Sequence, residues 1–162
     1  MPISFDFGQA LFCLKTIIEG IQKTMENSLI KITEEPNSPE AVVEQAKTDS
    51  SGCVLTYVGL IRQQSHGKLV RSVEYADSEG KAESRLREIA DEVKQKWPVN
   101  SVAIQHRAGT LKVGDINLVV AIAAAHRPEA FAACQYAIDL FKEKLPTHKT
   151  ETYEDGTVSV EG

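Results

Sequence analysis

The stretch HRPEAFAACQYAIDLFKEKLPTHKTE, residues 126–151, decides the fold. Its third residue is a proline, which is favoured at the first position of a helix and predicts a helix over Pro128–Lys144. The long apolar run Ile116–Ala124 before this helix predicts a buried strand. After the helix, Lys149–Val160 has the pattern of a β-hairpin. A strand, a helix and a hairpin in succession indicate that both element types contribute to one core.

The same alternation continues towards the N-terminus. Ser38 followed by Pro39 is a typical helix start, and we predict a helix from there through Lys47. Gln63–Lys68 is a polar loop between two apolar runs. The other predicted elements are the helix Glu79–Trp97 and the strands Leu29–Thr33, Gly52–Ile61, Val70–Tyr75 and Ser101–Arg107. Because strands and helices interleave, the fold class is α/β or α+β.

The first 24 residues stand apart from this pattern. Four apolar residues at helical spacing predict a short amphipathic helix over Gln9–Lys23. Met25 then opens a segment with the character of a domain start, so we divide the chain into an extension, residues 1–24, and one domain, residues 25–162. Two alternatives stay open for the extension: a segment outside the domain, or a helix that docks on a partner or on its own domain.

Composition excludes several classes of protein. The net charge of −5 argues against a general nucleic-acid binder, because phosphate contacts need a basic face. Three cysteines without paired spacing fit a reducing cytosol better than a disulfide framework or a zinc site. We find no apolar run near the roughly 20 residues that span a bilayer, and no signal peptide. The sequence therefore predicts a cytoplasmic protein with no metal and no bound cofactor.

Basic residues at the two ends of the Pro128–Lys144 helix are candidates for binding an anion. His126 and Arg127 precede its first turn, where unpaired amides and the helix dipole favour negative charge. Lys142 lies in the last turn and Lys149 opens the next strand. Since the helix is on the order of 20 Å long, the two pairs cannot meet within one chain. They either serve separate sites or complete one site across a symmetric dimer, and we favour the dimer.

Other candidate residues have ordinary structural explanations. Arg62 ends a strand and enters a glycine-containing loop, where it contacts a ligand or pairs with a surface carboxylate. Arg107 has the same position at another strand end and is the weaker candidate. Cys53 and Cys134 lie in apolar surroundings with no neighbouring base, which predicts packing rather than reactive thiols.

Four segments together resemble the large, catalytic subunit of molybdopterin synthase. They are VLTYVGLIR, VAIQHRAGTLKVGD, VVAIAAAHRPEAFAACQYAIDLFKEKLP and the following HKTE. The resemblance runs in unbroken order from Leu29 to Val160 and leaves out residues 1–24.

The resemblance implies an α/β hammerhead fold with an additional small antiparallel sheet, assembled as a homodimer. Each end of the dimer would bind a small ubiquitin-like carrier with a C-terminal Gly-Gly thiocarboxylate, giving a heterotetramer. Two such carriers would supply the sulfurs that convert cyclic pyranopterin monophosphate to molybdopterin, a sulfurtransferase step of molybdenum cofactor biosynthesis. Sulfur delivered by a partner agrees with the absence of a plausible catalytic cysteine.

The resemblance also assigns site residues. Lys142 and Lys149 match the two catalytic pocket lysines, and Tyr57 and Ile138 would form the pocket wall. The residues that would bind substrate, besides both lysines, are Leu60, Ile61, Arg62, His126, Arg127, Thr150 and Glu151, with the His-Arg pair offered across the dimer.

The chain departs from the family pattern around this site. His148 and Thr150 flank Lys149 where an aromatic and a basic residue are usual, and Ser78 and Lys81 replace an aromatic and a methionine. The usual tryptophan near the C-terminus is missing. An alternative to the enzyme is therefore a divergent dimeric module that binds the carrier without synthase activity.

Overall fold

The computed structural model describes residues 8–9, 11–16, 30–144 and 146–161, and within them strands and helices alternate as predicted. The elements in chain order are β1 (Ile30–Thr33), α1 (Pro39–Ala46), β2 (Cys53–Leu60), β3 (Gln64–Ser65), β4 (Lys68–Ala76), α2 (Ala82–Lys96), β5 (Ser101–Arg107), β6 (Gly109–Leu111), β7 (Ile116–Ala124), α3 (Arg127–Glu143), β8 (His148–Tyr153) and β9 (Val158–Glu161). The α+β class with an additional small antiparallel sheet is confirmed.

The first sheet has the order β1-β5-β7-β2 and carries the main core. Its two central strands are buried on both faces, which explains why β7 is apolar almost throughout, whereas β5 also buries polar residues such as His106. Val102 and Ile104 on one face of β5 pack with residues of α2 and α3. Ala103 on the opposite face packs with Val42 and Ala46 of α1. The sheet is therefore covered by two helices on one side and one on the other.

The second sheet has the order β3-β4-β8-β9, and β6 pairs with β4 beside β3. The predicted polar loop Gln63–Lys68 contains a tight hairpin, which the sequence did not predict. His66 and Gly67 both have positive φ, 51° and 73°, the backbone of a two-residue hairpin turn. The predicted C-terminal hairpin is confirmed as β8 and β9.

Element boundaries agree with the predictions to within three residues at the ends of each helix. The helix predicted over Gln9–Lys23 is helical at residues 8–9 and 11–16, and the rest of it lies outside the described residues. Leu11 and Leu14 in this segment are exposed. Leu29, the first residue predicted for β1, also lies outside the described residues. No helix in the described ranges is long and apolar enough to cross a membrane.

Candidate active site

The end of α3 and the start of β8 bring Lys142 and Lys149 to the same place. Both lysines line two cavities of about 320 Å³ each at the junction of the two sheets. A volume of this size lies at the lower end of the range for small-molecule sites, roughly 300–1,000 Å³. The two lysines, which the sequence presents as one basic pair, therefore lie at the same cavities within one chain.

Alternation along β8 decides which side chains reach the site. Lys149, Glu151 and Tyr153 share one face of the strand, since successive residues of a strand point to opposite sides. The Lys149 Nζ lies 2.7 Å from Glu151 Oε1 and 3.2 Å from Oε2 of Glu161 on β9. The Tyr153 hydroxyl donates to the other Glu151 oxygen at 2.8 Å. Lys149 is thus held by two carboxylates in a fixed position.

These contacts determine the charge states of Glu151 and Lys149. Burial raises the pKa of Glu151, but hydrogen bonds from Lys149 and Tyr153 outweigh this effect and lower it to about 2. Burial likewise lowers the pKa of Lys149, and its bonds to Glu151 and Glu161 reverse this, so the pKa is raised. Both groups are therefore charged at neutral pH, and Lys149 acts as a fixed cation rather than a free amine.

The other two cations of the cavity are unpaired. Arg62 and Lys142 are exposed, and within residues 30–144 and 146–161 neither has a carboxylate within 4 Å. With Lys149, the lining of the cavity that Arg62 reaches carries three cations, against the carboxylate of Glu151 there and that of Glu161 beside Lys149. In a protein with a net charge of −5, this local excess of positive charge can bind a small anion or a carboxylate tail.

Strand β2 supplies the wall opposite β8. Tyr57, Leu60 and Ile61 line the cavity, and their predicted contacts with substrate stay a prediction. Gly59 lies between them, and a Cβ there would be 2.8 Å from Oδ1 of Asn117 on β7. Glycine therefore permits the close approach of β2 to the polar part of β7.

Tyr75 and Asn117 line both cavities and were not predicted from the sequence. The Asn117 Nδ2 donates to the Tyr75 hydroxyl at 3.1 Å. Burial raises the pKa of Tyr75, and the nearby Lys149 opposes this effect without reversing it, so the phenol stays neutral. The sequence contains one signal for Asn117, because it is a polar residue in an otherwise apolar strand. Tyr75 has none, because only its pairing with Lys149 across β4 and β8 brings it to the site.

Four of the predicted residues lie away from the cavities, and two of these are Ile138 and Thr150. Ile138 is half-buried on α3 and packs against the main core. Thr150 lies on the face of β8 opposite to Lys149 and pairs with Glu74 and Val160 in neighbouring strands. Their assignment to the pocket wall and to substrate binding stays a prediction.

His126 and Arg127 lie at the far end of α3. The helix has 17 residues, so about 25 Å separates them from Lys142 along its axis. His126 is the N-cap by backbone position, but its side chain makes no capping hydrogen bond. Both side chains are exposed, and among the described residues neither forms an ion pair. They are free for contact with another molecule.

Cys53, Cys134 and Arg107 are held by burial or by contacts within the chain. Burial raises the pKa of the Cys134 thiol to about 11, which makes it a poor nucleophile at neutral pH. Cys53 is half-buried with its Sγ 3.6 Å from the Ala124 carbonyl oxygen. Arg107 donates to the Glu34 carbonyl and pairs with Asp115 at 3.5 Å. Among the described residues Arg62 has no such pair, which distinguishes the two strand-end arginines.

Comparison of the sequence with known proteins identifies its family. The sequence profile described as MoaE protein matches residues 32–144. The chain belongs to the MoaE family. Curated relatives include the molybdopterin synthase catalytic subunit of Nostoc sp., 41% identical over 88% of this chain and 86% of the relative, and that of Rattus norvegicus, 35% identical over 90% and 72%.

Solved structures of the family have the same fold. The crystal structure of molybdopterin synthase from Staphylococcus aureus is 33% identical and superposes with a TM-score of 0.76 over 82% of this chain and 96% of that one. A MoaE protein from Burkholderia ambifaria, also 33% identical, gives a TM-score of 0.69 over 82% and 88%.

Proposed function

We propose that this chain is the catalytic subunit of a molybdopterin synthase, a sulfurtransferase of molybdenum cofactor biosynthesis. The observation that carries the proposal is the cavity where Arg62, Lys142 and Lys149 converge, because among the described residues Arg62 and Lys142 have no carboxylate partner there. Its relatives are named for the same activity. The described structure and these relatives offer no support for the alternative of a carrier-binding module without activity.

The substrate and the sulfur donor are both anionic, which matches the charge of the cavity. We assign the phosphate of cyclic pyranopterin monophosphate and the thiocarboxylate of a carrier tail to the three cations. Each transfer replaces a carbon–oxygen bond of the pterin side chain with a carbon–sulfur bond and breaks the acyl carbon–sulfur bond of the tail. The displaced side-chain oxygen stays on the phosphate or leaves as water. Water supplies the oxygen that restores the tail carboxylate. The chain itself needs no nucleophilic cysteine for these steps, in agreement with its buried Cys134.

The partner in this proposal is a small ubiquitin-like protein that ends in Gly-Gly. A narrow cavity can admit an extended tail without large side chains, and the exposed Arg62 and Lys142 at its lining can attract the terminal charge. The relatives are named catalytic subunits, and this name implies that the enzyme has a second kind of subunit. We place the complex in the cytoplasm and assign the catalytic unit to residues 25–162.

Reconstitution tests the activity directly. The full-length chain, mixed with thiocarboxylated carrier and cyclic pyranopterin monophosphate, is expected to form molybdopterin. Lys149→Ala should lower turnover by about 100-fold or more, because it removes a preorganised cation from the site. Lys144→Ala is the matched control, since Lys144 pairs with Glu92 outside both cavities. Carrier binding without product by the unmodified chain would contradict the enzyme.

We further propose a homodimer in which His126 and Arg127 of one protomer complete the cavity of the other. The separation along α3 and the unpaired state of both side chains support this arrangement. Complementation tests it: Arg127→Ala and Lys149→Ala chains, each inactive alone, are co-expressed. A mixed dimer then has one intact site, so about a quarter of normal activity should return in a random mixture. No recovery, or a monomer in solution, would contradict the composite site.

A further inference from the structure

The imidazole of His106 is a buried polar group that contacts the cavity walls from behind. It lies in β5 with none of its surface exposed, at the junction of the two sheets. Most buried polar groups in proteins have hydrogen-bond partners. His106 is one of the few polar residues of the buried interior, so its partners show what it does.

Both ring nitrogens have partners. Nδ1 lies 2.8 Å from the backbone oxygen of Asn117, and Nε2 lies 3.0 Å from the Thr147 hydroxyl. A carbonyl can only accept, so Nδ1 carries the proton and Nε2 accepts from Thr147. Burial lowers the pKa of His106 to about 4, against a raising effect of the Asn117 bond, so the ring is neutral at physiological pH.

The imidazole ring of His106 packs against two aromatic residues of the site. Its centroid is 4.8 Å from that of Tyr75 and 5.1 Å from that of Phe141, both in edge-on geometry. Such contacts add about 0.5–1.5 kcal/mol beyond the area they bury and restrict the relative orientation of the rings. Tyr75 and Phe141 both line the cavity that contains the two lysines.

His106 contacts Asn117, Thr147, Tyr75 and Phe141, and two of these residues lie close to the lysines in the chain. Phe141 directly precedes Lys142 in the last turn of α3, and Thr147 lies two residues before Lys149. One rigid ring therefore touches both segments that present a lysine. The other two partners of His106, Asn117 and Tyr75, are hydrogen-bonded to each other and form a polar part of the cavity wall.

We propose that His106 is a positioning residue that fixes the separation of Lys142 and Lys149 through Phe141 and Thr147. It does not contact substrate. The inference rests on the proposed function for its effect on turnover, while its effect on the geometry of the lysines is independent of that function. Loss of the Thr147 bond would free the start of β8 from β5, and a displacement of about 1 Å at a reacting group can cost 100-fold in rate.

Thr147→Val is the sharpest test, because it removes only the hydroxyl and keeps the shape of the side chain. We expect kcat to fall about 10- to 100-fold with a change in KM of less than about threefold. Thr147→Ser keeps the hydroxyl and should restore most of the activity. His106→Asn retains an amide donor near the Nδ1 position but has no group at Nε2, so it should resemble Thr147→Val. Thr152→Val, on the face of β8 away from the cavity, is the matched control.

A second measurement separates this inference from the proposed function. With ¹³Cε-labelled lysine, the signals of Lys142 and Lys149 should shift in Thr147→Val while that of Lys144 stays in place. If the unmodified chain makes molybdopterin and Thr147→Val turns over equally fast, the positioning role is overturned. If the unmodified chain makes none, the proposed function fails, and unchanged lysine signals would then overturn the positioning role as well.

Discussion

Replacing Glu151 with glutamine should destabilise the folded chain strongly at neutral pH and much less in acid. The Glu151 side chain is 7% exposed and binds Lys149 through one oxygen and Tyr153 through the other. Glutamine keeps the shape and one acceptor but loses the charge that Lys149 compensates. The change therefore isolates the contribution of a buried carboxylate in the strand that presents Lys149 to the cavities.

The magnitude follows from the pKa of this carboxyl. Its value falls from an ordinary 4.5 to about 2 on folding, and each pH unit of difference corresponds to about 1.4 kcal/mol. A pKa that is lowered in the folded state stabilises it above the unfolded value and loses that effect as pH falls through the folded value. Glu151 should thus contribute about 3 kcal/mol at pH 7, less than half of that near pH 3, and only a small remainder near pH 2.

Urea unfolding of the wild type and Glu151→Gln at pH 7 and pH 3 measures this difference, at one protein concentration because the stability of the proposed dimer would depend on concentration. Glu161→Gln is the matched control: it removes the other carboxylate on Lys149, which is 47% exposed. An exposed ion pair of this kind contributes about 0.5 kcal/mol or less. Equal losses for the two variants, or a loss for Glu151→Gln that does not change between pH 7 and pH 3, would refute this account.

Two further predictions concern the core and the thiols. Leu86→Ala should cost about 2–5 kcal/mol in urea unfolding, because Leu86 is fully buried in the main core, whereas Arg87→Ala on the exposed face of α2 should cost about 0.5 kcal/mol or less. At pH 8 a thiol reagent should modify the exposed Cys13 quickly and leave Cys134 unmodified in the folded protein, since burial raises the pKa of Cys134 to about 11. Equal rates for the two thiols would contradict the burial of Cys134.

The helices were predictable from local signals. Pro39 and Pro128 both occupy first turns, and the apolar face of α2 contains Leu86, Ile89 and Val93, as the periodicity indicates. The two short strands β3 and β6 were not predictable, because two or three residues carry no readable period. Each exists only through its pairing with β4, which is a long-range contact for β6.

The site was predictable only in part, for a related reason. Lys142 and Lys149 are close in sequence, so the end of one helix and the start of one strand can bring them together. Tyr75 and Asn117 come from strands far apart in the chain, and their meeting depends on the register of β4 against β8 and on the place where the two sheets join. No local pattern contains that register.

The two lysines are not equivalent, although the sequence presents them as a pair. Lys149 is 19% exposed and is bound by two carboxylates, whereas Lys142 is exposed and has no carboxylate within 4 Å among the residues that the structure describes. An incoming anion therefore meets Lys142 and Arg62 without having to displace a partner. It reaches Lys149 by competing with the exposed Glu161, because separating Lys149 from the buried Glu151 would leave an uncompensated charge in the interior. We therefore expect Lys142 to capture the anion and Lys149, held by Glu151, to define where the reacting group comes to rest.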